Sequence, residues 1–393
     1  MKRSRRTPFA PDHLCWFIVL IQVACGGSEA PAEGSAGGTH VDSGGSPGSG
    51  GVGGSAGGGG GTSSGGFGGT PSSGGAGTGG SGAPTALPPR AIVGTRRGMC
   101  ALDESGAIHC WGSSSLRPEG WQVPPGPFAA LFGSFEMVCG VRQDGLASCF
   151  WEPLGTDSPI DHVPEQPVQT LAITRGVICG IDLAGDTFCN WSVPVGITVP
   201  SGERFKDIST GPHFGCGIRE ADGSILCWGS PGVAEDCSIS PDEGQLNAPH
   251  GSFVSLHSRG AYSTCAIAED GSVACWGAGE ANDDPTRLFC EVPVNFGQSV
   301  PPSGTFRSVT VGTYHSCGIR TDGTVACWGA GTHANDCANG GQDCGQSLPP
   351  PGQFEQVALG DLFTCGMKAD RTIECWGWDG DGDGRTVPPE VFR

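Results

Sequence analysis

The chain has 393 residues, 71 of them glycine and 20 cysteine, with 21 Lys plus Arg against 40 Asp plus Glu and a formal charge of −19. An excess of acid this large repels a phosphate backbone and argues against a nucleic-acid partner, whereas a cation or a basic protein patch is electrostatically easier. Composition then divides the chain into a short leader, a glycine tract and a cysteine-rich repeat region, and only the last can bury a core.

Residues 1–24 open with Met1 Lys2 Arg3 Ser4 Arg5 Arg6 and lead into the apolar run Leu14 to Ile21. That run is too short to cross a bilayer and reads as an export signal. It ends in Gln22 Val23 Ala24 Cys25 Gly26, which resembles the bacterial lipobox, where a small residue precedes a cysteine that is lipidated and becomes the new N-terminus. Gln22 departs from the usual aliphatic residue, and plain secretory cleavage near Ala24 is the competing reading. A lipid on Cys25 is expected, because a long tether directly after a cysteine is what an anchored exported domain needs.

Residues 25–87 form that tether. Between residues 26 and 88 lie 27 glycines among Ser, Ala and Thr, with almost nothing apolar to offset the entropy of ordering. Two Gly-x-Ser-x-Gly matches, Gly44 to Gly48 and Gly53 to Gly57, lack the strand and helix that a nucleophile elbow requires and are compositional.

Residues 88–393 repeat one phrase seven times: a cysteine, a small residue, an aliphatic residue, a tight turn, and a second cysteine with tryptophan beside it or one place on. The pairs are Cys100 and Cys110, Cys139 and Cys149, Cys179 and Cys189, Cys216 and Cys227, Cys265 and Cys275, Cys317 and Cys327, and Cys365 and Cys375. Thr321 Asp322 Gly323 suits a three-residue hairpin loop ending in a left-handed glycine. Counting outward from it places Cys317 opposite Cys327 at a non-hydrogen-bonded position, where side chains approach most closely. Cys216 to Cys227 has one extra residue, absorbed by the four-residue loop Glu220 to Gly223, and Arg371 stands in the last copy where glycine is expected, at some backbone cost. Disulfides are therefore expected in an exported chain, and zinc is disfavoured because structural sites use spacers of only two to four residues. Cys237, Cys290, Cys337 and Cys344 remain in longer loops. Cys337 with Cys344 would close a local loop and Cys237 with Cys290 would link adjacent repeats, but spacing alone does not decide this.

Small residues follow each first cysteine (Ala101, Gly140, Gly180, Gly217, Ala266, Gly318, Gly366), which is expected to let a neighbouring sheet approach. With aliphatic residues on the cysteine face, both faces look buried, and the seven tryptophans are expected to fill gaps between stacked blades rather than bind ligand. Each hairpin is preceded by a proline turn and a strand-opening phenylalanine, as in Gly297 Gln298 Ser299 Val300 Pro301 Pro302 and Phe306.

Gly312 Thr313 Tyr314 His315 Ser316, Asp322 Gly323 and Trp328 Gly329 resemble the regulator-of-chromosome-condensation repeat, with its glycine, His-Ser pair, Asp-Gly turn and Trp-Gly. The likeness weakens in the second and third copies, where Trp151 and Trp191 lack the following glycine. It implies an all-β, seven-bladed propeller and gives His213 and His315 the family's structural histidine position. Pro388 to Phe392 starts another unit and is expected to close the ring against Ala91 to Gly94.

Asp379, Asp381, Asp383 and Glu390 satisfy the calcium-loop pattern D-x-D-x-D-G-x5-E. Calcium is thus the candidate cofactor, although Pro388 and Pro389 bar the usual exit helix and Gly384 to Pro389 aligns with the ordinary inter-repeat turn. His109, His213, His257, His315 and His333 accompany no nucleophile motif, so no catalytic triad is indicated. The long loops Ser230 to His250, Ala278 to Pro302 and Ala330 to Pro350 are expected to project from one rim, the usual place for recognition. The resulting expectation is a monomeric, exported, membrane-anchored binding scaffold for a protein or glycan. A secreted inhibitor of a specific enzyme is the alternative, a cation-dependent hydrolase is a lesser one, and the nucleotide-exchange role of nuclear relatives conflicts with leader, cysteines and acidity.

Overall fold

The computed structural model describes residues 90–112, 121–152, 163–174, 177–191, 198–230, 243–259, 262–280, 288–289, 292–293, 295–333, 337, 341–380 and 382–393. The expected export signal, Cys25 and the glycine tract lie outside the described residues, as do Cys237, Cys290 and Asp381. Among the described residues no helix is long and apolar enough to cross a membrane.

Seven three-stranded antiparallel sheets follow one another along the chain. Blade one is β1 (Ile92–Gly94), β2 (Gly98–Leu102) and β3 (Ile108–Gly112), and blade two is β4 (Ala130–Gly133), β5 (Met137–Val141) and β6 (Ala147–Trp151). Blade three is β7 (Val168–Thr174), β8 (Val177–Asp182) and β9 (Thr187–Trp191); blade four is β10 (Phe205–Gly211), β11 (Phe214–Arg219) and β12 (Ile225–Gly229). Blade five is β13 (Phe253–Ser258), β14 (Ser263–Ala268) and β15 (Val273–Gly277). After the short ribbon β16 (Leu288–Phe289) and β17 (Val292–Pro293) come blade six, β18 (Phe306–Val311), β19 (His315–Arg320) and β20 (Val325–Gly329), and blade seven, β21 (Gln356–Leu359), β22 (Phe363–Met367) and β23 (Ile373–Gly377). The first strand of every blade packs against the first strands of both neighbours, and β21 against β1, so the seven sheets form a closed propeller.

The hairpin register is the one that the turns dictate. Cys317 faces Cys327 and Cys216 faces Cys227 in spite of the extra residue. All seven hairpin pairs are bridged, with Cα atoms 4.0–4.1 Å apart, close to the separation of a non-hydrogen-bonded pair. Cys337 is bridged to Cys344. The turn aspartates close the hairpins: Asp322 Oδ1 accepts from Thr324 N at 2.9 Å and its hydroxyl at 2.7 Å, and Asp270 and Asp370 repeat the pattern. These hydrogen bonds lower the carboxyl pKa of Asp222, Asp270, Asp322 and Asp370. Part of the acidic excess therefore serves turn geometry.

Cores lie between blades, not within them. The bridge Cys317–Cys327 and Ile319 of blade six pack on Phe354, Val357 and Trp376 of blade seven, and blade five meets blade six through Cys265, Ile267, Phe306 and Trp328 in the same way. The tryptophans Trp228, Trp276, Trp328 and Trp376 are buried there, as expected. The small residue after the first cysteine has a different job from the one expected. A Cβ at Gly318 would come within 2.6 Å of Phe306 Cδ1, and Gly366 meets Phe354 likewise, so the missing side chain admits the phenylalanine of its own blade and not a neighbouring sheet. A bulge directly after Phe306, and after Phe205, accompanies each ring's entry into that space.

Adjacent inner strands are laced by side chains. Asp207 Oδ2 accepts from Leu256 N at 2.9 Å, His257 Nδ1 from Val311 N at 3.0 Å, and Gln356 Oε1 from Ala91 N at 2.7 Å. Phe392 joins the cluster holding Ala91, Ile92 and Val93 with Cys365 and Met367, so the C-terminal segment closes the ring where expected.

Candidate functional site

Antiparallel pairing sets the first-to-second-strand turns beside the ends of the third strands, because Gly98 faces Gly112 and His315 faces Gly329. One face of the ring, the turn face, therefore carries those turns together with the roots of the loops beginning at Ser230, Ala278 and Ala330. The opposite face carries the aspartate hairpins.

Three residues before the first cysteine of each hairpin, the turn face presents Arg97, Glu136, His213, Tyr262, Tyr314 and Leu362, each half-buried; the equivalent in blade three lies outside the described residues. Five of these carbonyls are clamped alike, accepting from Glu152 N (2.6 Å), Ser230 N (2.9 Å), Ala278 N (2.8 Å), Ala330 N (2.9 Å) and Trp378 N (2.9 Å) for residues 136, 213, 262, 314 and 362. His213 therefore does not share the position of His315. Phe214 takes that place, facing Gly229 as His315 faces Gly329, because the bulky apolar side chain fills the buried slot and leaves His213 on the turn. Burial lowers the pKa of His213, so its ring is neutral at pH 7.

The long loops re-enter the ring through a repeated clamp. Gln245, Gln298 and Gln346 are fully buried; each side-chain oxygen accepts from the backbone two residues earlier, at 2.7, 2.8 and 2.8 Å. Each Gln carbonyl accepts from the indole of Trp276, Trp328 or Trp376 at 2.8–2.9 Å. Insertions here thus start and end on fixed points, and the clamp at Gln298 sets Phe296 edge-on to Tyr314 with centroids 5.4 Å apart.

Arg259 closes the axis under the turn face. From blade five its guanidinium donates to Leu359 O of blade seven and to Ser134 O of blade two at 3.5 Å, with the residue only 7% exposed. Desolvation lowers its pKa to about 10, opposed by Asp361 and Glu152. Asp361 accepts from Arg96 Nε and Thr313 Oγ1, both at 3.1 Å. Glu152 Oε1 accepts from Thr95 Oγ1 and Arg97 N, both at 3.0 Å, and burial pushes its carboxyl up to about 7. His315 Nε2 lies 2.8 Å from Thr364 Oγ1, whose own proton goes to Gln346 O at 3.0 Å, so the imidazole donates there. Burial and the nearby Arg259 charge lower its pKa to about 3, which marks a structural, uncharged histidine.

At the proposed calcium loop, Asp383 Oδ2 pairs with Arg385 Nη2 at 2.9 Å, and Asp379 Oδ1 accepts from Gly382 N at 3.3 Å. Arg385 is itself buried and lies 4.7 Å over the Trp378 ring. A cation on Asp383 competes with that guanidinium. Glu390 opens a 3-10 turn ending at Phe392. Among the described residues no three His, Cys, Asp or Glu gather as a metal site.

The signal for the turn-face positions was present in the sequence as a column three places before each cysteine. Arg259 and Glu152 carry no repeat signal, since each acts once, across the axis.

Residues 306–334 match the family described as Regulator of chromosome condensation (RCC1) repeat, the copy with the fullest motif. The fold is a disulfide-stapled, seven-bladed propeller in which one repeat matches the RCC1 type. It is similar to the entire ectodomain of the receptor kinase CR4 from Physcomitrella patens, at 21% identity and a TM-score of 0.51, covering 73% of each chain. It is also similar to the CRINKLY WD40 ectodomain of the Arabidopsis thaliana receptor kinase ACR4, at 22% identity and a TM-score of 0.52, covering 72% of this chain and 91% of that one. At these identities the likeness shows the fold. The serine/threonine-protein kinase-like protein CCR3 of Arabidopsis thaliana is 25% identical over 196 residues, which span 50% of this chain but only 20% of that protein.

Proposed function

We propose that this protein is an exported, lipid-anchored scaffold that works as a monomer and acts by binding a protein or glycan outside the cytoplasm, not by catalysis. The observation that carries the reading is the stapled ring: eight disulfides among the described residues hold it, and such bridges persist in oxidising compartments. Likeness in fold to two receptor ectodomains supports the same compartment. The turn face, with clamped turns and pinned loop roots, is a rigid platform of the sort that carries recognition. The net charge of −19 weighs against nucleic acid.

The sequence supports the anchor: Cys25 is followed by a long stretch of Gly, Ser, Ala and Thr, the composition of a spacer between a lipid anchor and a domain. Expression of the full chain in a bacterium fed an alkyne-tagged fatty acid tests this. Label on the membrane fraction that vanishes in Cys25→Ala is the expected result; an unlabelled, freely secreted protein overturns the anchor but leaves the scaffold reading in place.

A further inference from the structure

We propose that residues 384–393 form a releasable latch: the seam they close on blade one opens while the rest of the ring stays folded, and it accepts the same segment supplied in trans.

In an unbroken repeat the segment that opens a blade is fastened in three ways. Phe128, Phe253, Phe306 and Phe354 each donate their backbone N–H to the turn glycine of the preceding hairpin, Gly106, Gly223, Gly271 and Gly323, at 2.8–2.9 Å. Gln245, Gln298 and Gln346 hold the backbone two residues before them at 2.7–2.8 Å. The glutamine carbonyl accepts from the tryptophan indole, and the phenylalanine ring packs on that tryptophan, as in Gln298, Trp328 and Phe306.

The segment at the seam keeps only the third fastening. Phe392 N donates within its own 3-10 turn, to Pro389 O at 3.0 Å, and Arg371 stands at the hairpin position that glycine holds in the other blades. Arg385 replaces the glutamine: its guanidinium pairs with Asp383 at 2.9 Å, and its buried Nε has no partner. Among the described residues a single hydrogen bond joins residues 384–393 to blade one, from the Trp111 indole to Arg385 O at 3.0 Å. Phe392 is 2% exposed against Trp111 and His109, whereas Val387 and Val391 are 48% and 54% exposed. Gly382 and Gly384 lead into the segment at φ 97° and 72°, with open space where a Cβ would stand.

A chain end that lets go breaks no second attachment and needs no loop closure, so these few contacts open as a unit below the free energy of global unfolding. An inner repeat, tied to the chain on both sides, lacks that freedom. Release uncovers the Trp111 ring and the core it shares with Ala91, Val93 and Met367. That groove is shaped to Val387 Pro388 Pro389 followed by Phe392, so its matching ligand is this chain's own C-terminal segment.

Two measurements on the oxidised full-length protein test this. In hydrogen exchange followed by NMR, the Trp111 indole proton is expected to exchange at least about tenfold faster than those of Trp328 and Trp376, although all three residues are 6–9% exposed. Equal or slower exchange at Trp111 overturns the latch. In the second measurement, a fluorescent peptide of residues 384–393 is titrated into Phe392→Ala, whose own segment no longer fills the seam. Saturable binding is expected, at least about tenfold tighter than to the unaltered protein, and lost when the peptide's phenylalanine is replaced by alanine. No binding by a variant that keeps its near-ultraviolet circular dichroism, equal binding to the unaltered protein, or binding indifferent to the peptide's phenylalanine also overturns it. Should Phe392→Ala lose that signal, the exchange rates of the unaltered protein decide alone.

Discussion

Phe392, the penultimate residue, packs against Trp111 of blade one with ring centroids 6.3 Å apart. The pairs Phe306–Trp328 (6.2 Å) and Phe354–Trp376 (6.0 Å) are the same contact made within one continuous repeat. The Trp111 indole donates to Arg385 O at 3.0 Å, as Trp328 donates to Gln298 O. Residues 384–392 are thus the missing opening of blade one, delivered by the far end of the chain. The ring closes by sharing a repeat between its termini.

Phe392→Ala should remove this closure. Loss of a buried phenylalanine costs about 3 kcal/mol in a site that relaxes only partly, and the cost should fall on cooperativity as well, because blades one and seven share its core. Urea denaturation followed by tryptophan fluorescence checks this; an unchanged midpoint would mean that the ring is held without its C-terminal segment.

The hairpin bridges should act unequally with context. Chain entropy assigns a ten-residue loop roughly 2–3 kcal/mol, less where the hairpin already forms in the unfolded chain. Cys365→Ser/Cys375→Ser should therefore cost more than Cys317→Ser/Cys327→Ser, since the turn of blade seven is the one with a non-glycine residue, Arg371, at φ 66°. Thermal melts of the two double variants give the comparison. Non-reducing peptide mapping should recover all seven hairpin pairs.

What was legible in the sequence was whatever repeats. Turn type fixed the facing of Cys317 and Cys327, because register in a hairpin follows from loop length. The role of Gly318 was misplaced, since spacing alone does not tell whether a gap is filled by the next blade or by Phe306 of the same one. His213 was misaligned because Phe214, the better residue for an apolar slot, stands beside it. Arg259, Glu152 and Asp361 were invisible for a deeper reason. They meet across the axis from blades five, two and seven, and a contact made once leaves no periodic trace.

Arg371 departs from the glycine rule and has a partner: its Nη2 reaches Leu102 O of blade one at 3.4 Å. Arg371→Ala keeps the left-handed strain and loses that bond, whereas Arg371→Gly loses the bond but relieves about 1 kcal/mol of strain. The alanine variant should accordingly be the less stable of the two by about that amount, measured by guanidinium denaturation. Equal stabilities would show that the turn adopts its conformation without cost.

Glu152 should govern the decline of stability between mildly acidic and neutral pH. Its carboxyl titrates near 7 in the fold against an ordinary 4.5, so between those values the folded state holds a proton that the unfolded chain has released. Stability contributed by the proton is complete below about pH 4.5 and is lost as pH rises through 7, by roughly 3–4 kcal/mol as an upper bound. Asp207, raised to about 6 by burial, acts in the same direction, whereas His315, lowered to about 3, penalises the fold below its ordinary 6.5. The charges facing Glu152 are Asp361 and Glu136, which oppose its ionisation, and Arg259, which favours it. Glu152→Gln retains the acceptor oxygen for Thr95 and Arg97 N and should flatten the decline between about pH 5 and 8. Arg259→Met removes the axial cation and should cost about 3 kcal/mol at pH 7.5, with a smaller loss when combined with Glu152→Gln, because the uncompensated carboxylate is then absent. Denaturation of the two single variants and the double variant across pH 5–8 measures this coupling; additive losses would show that Arg259 acts only through its bonds to Leu359 O and Ser134 O.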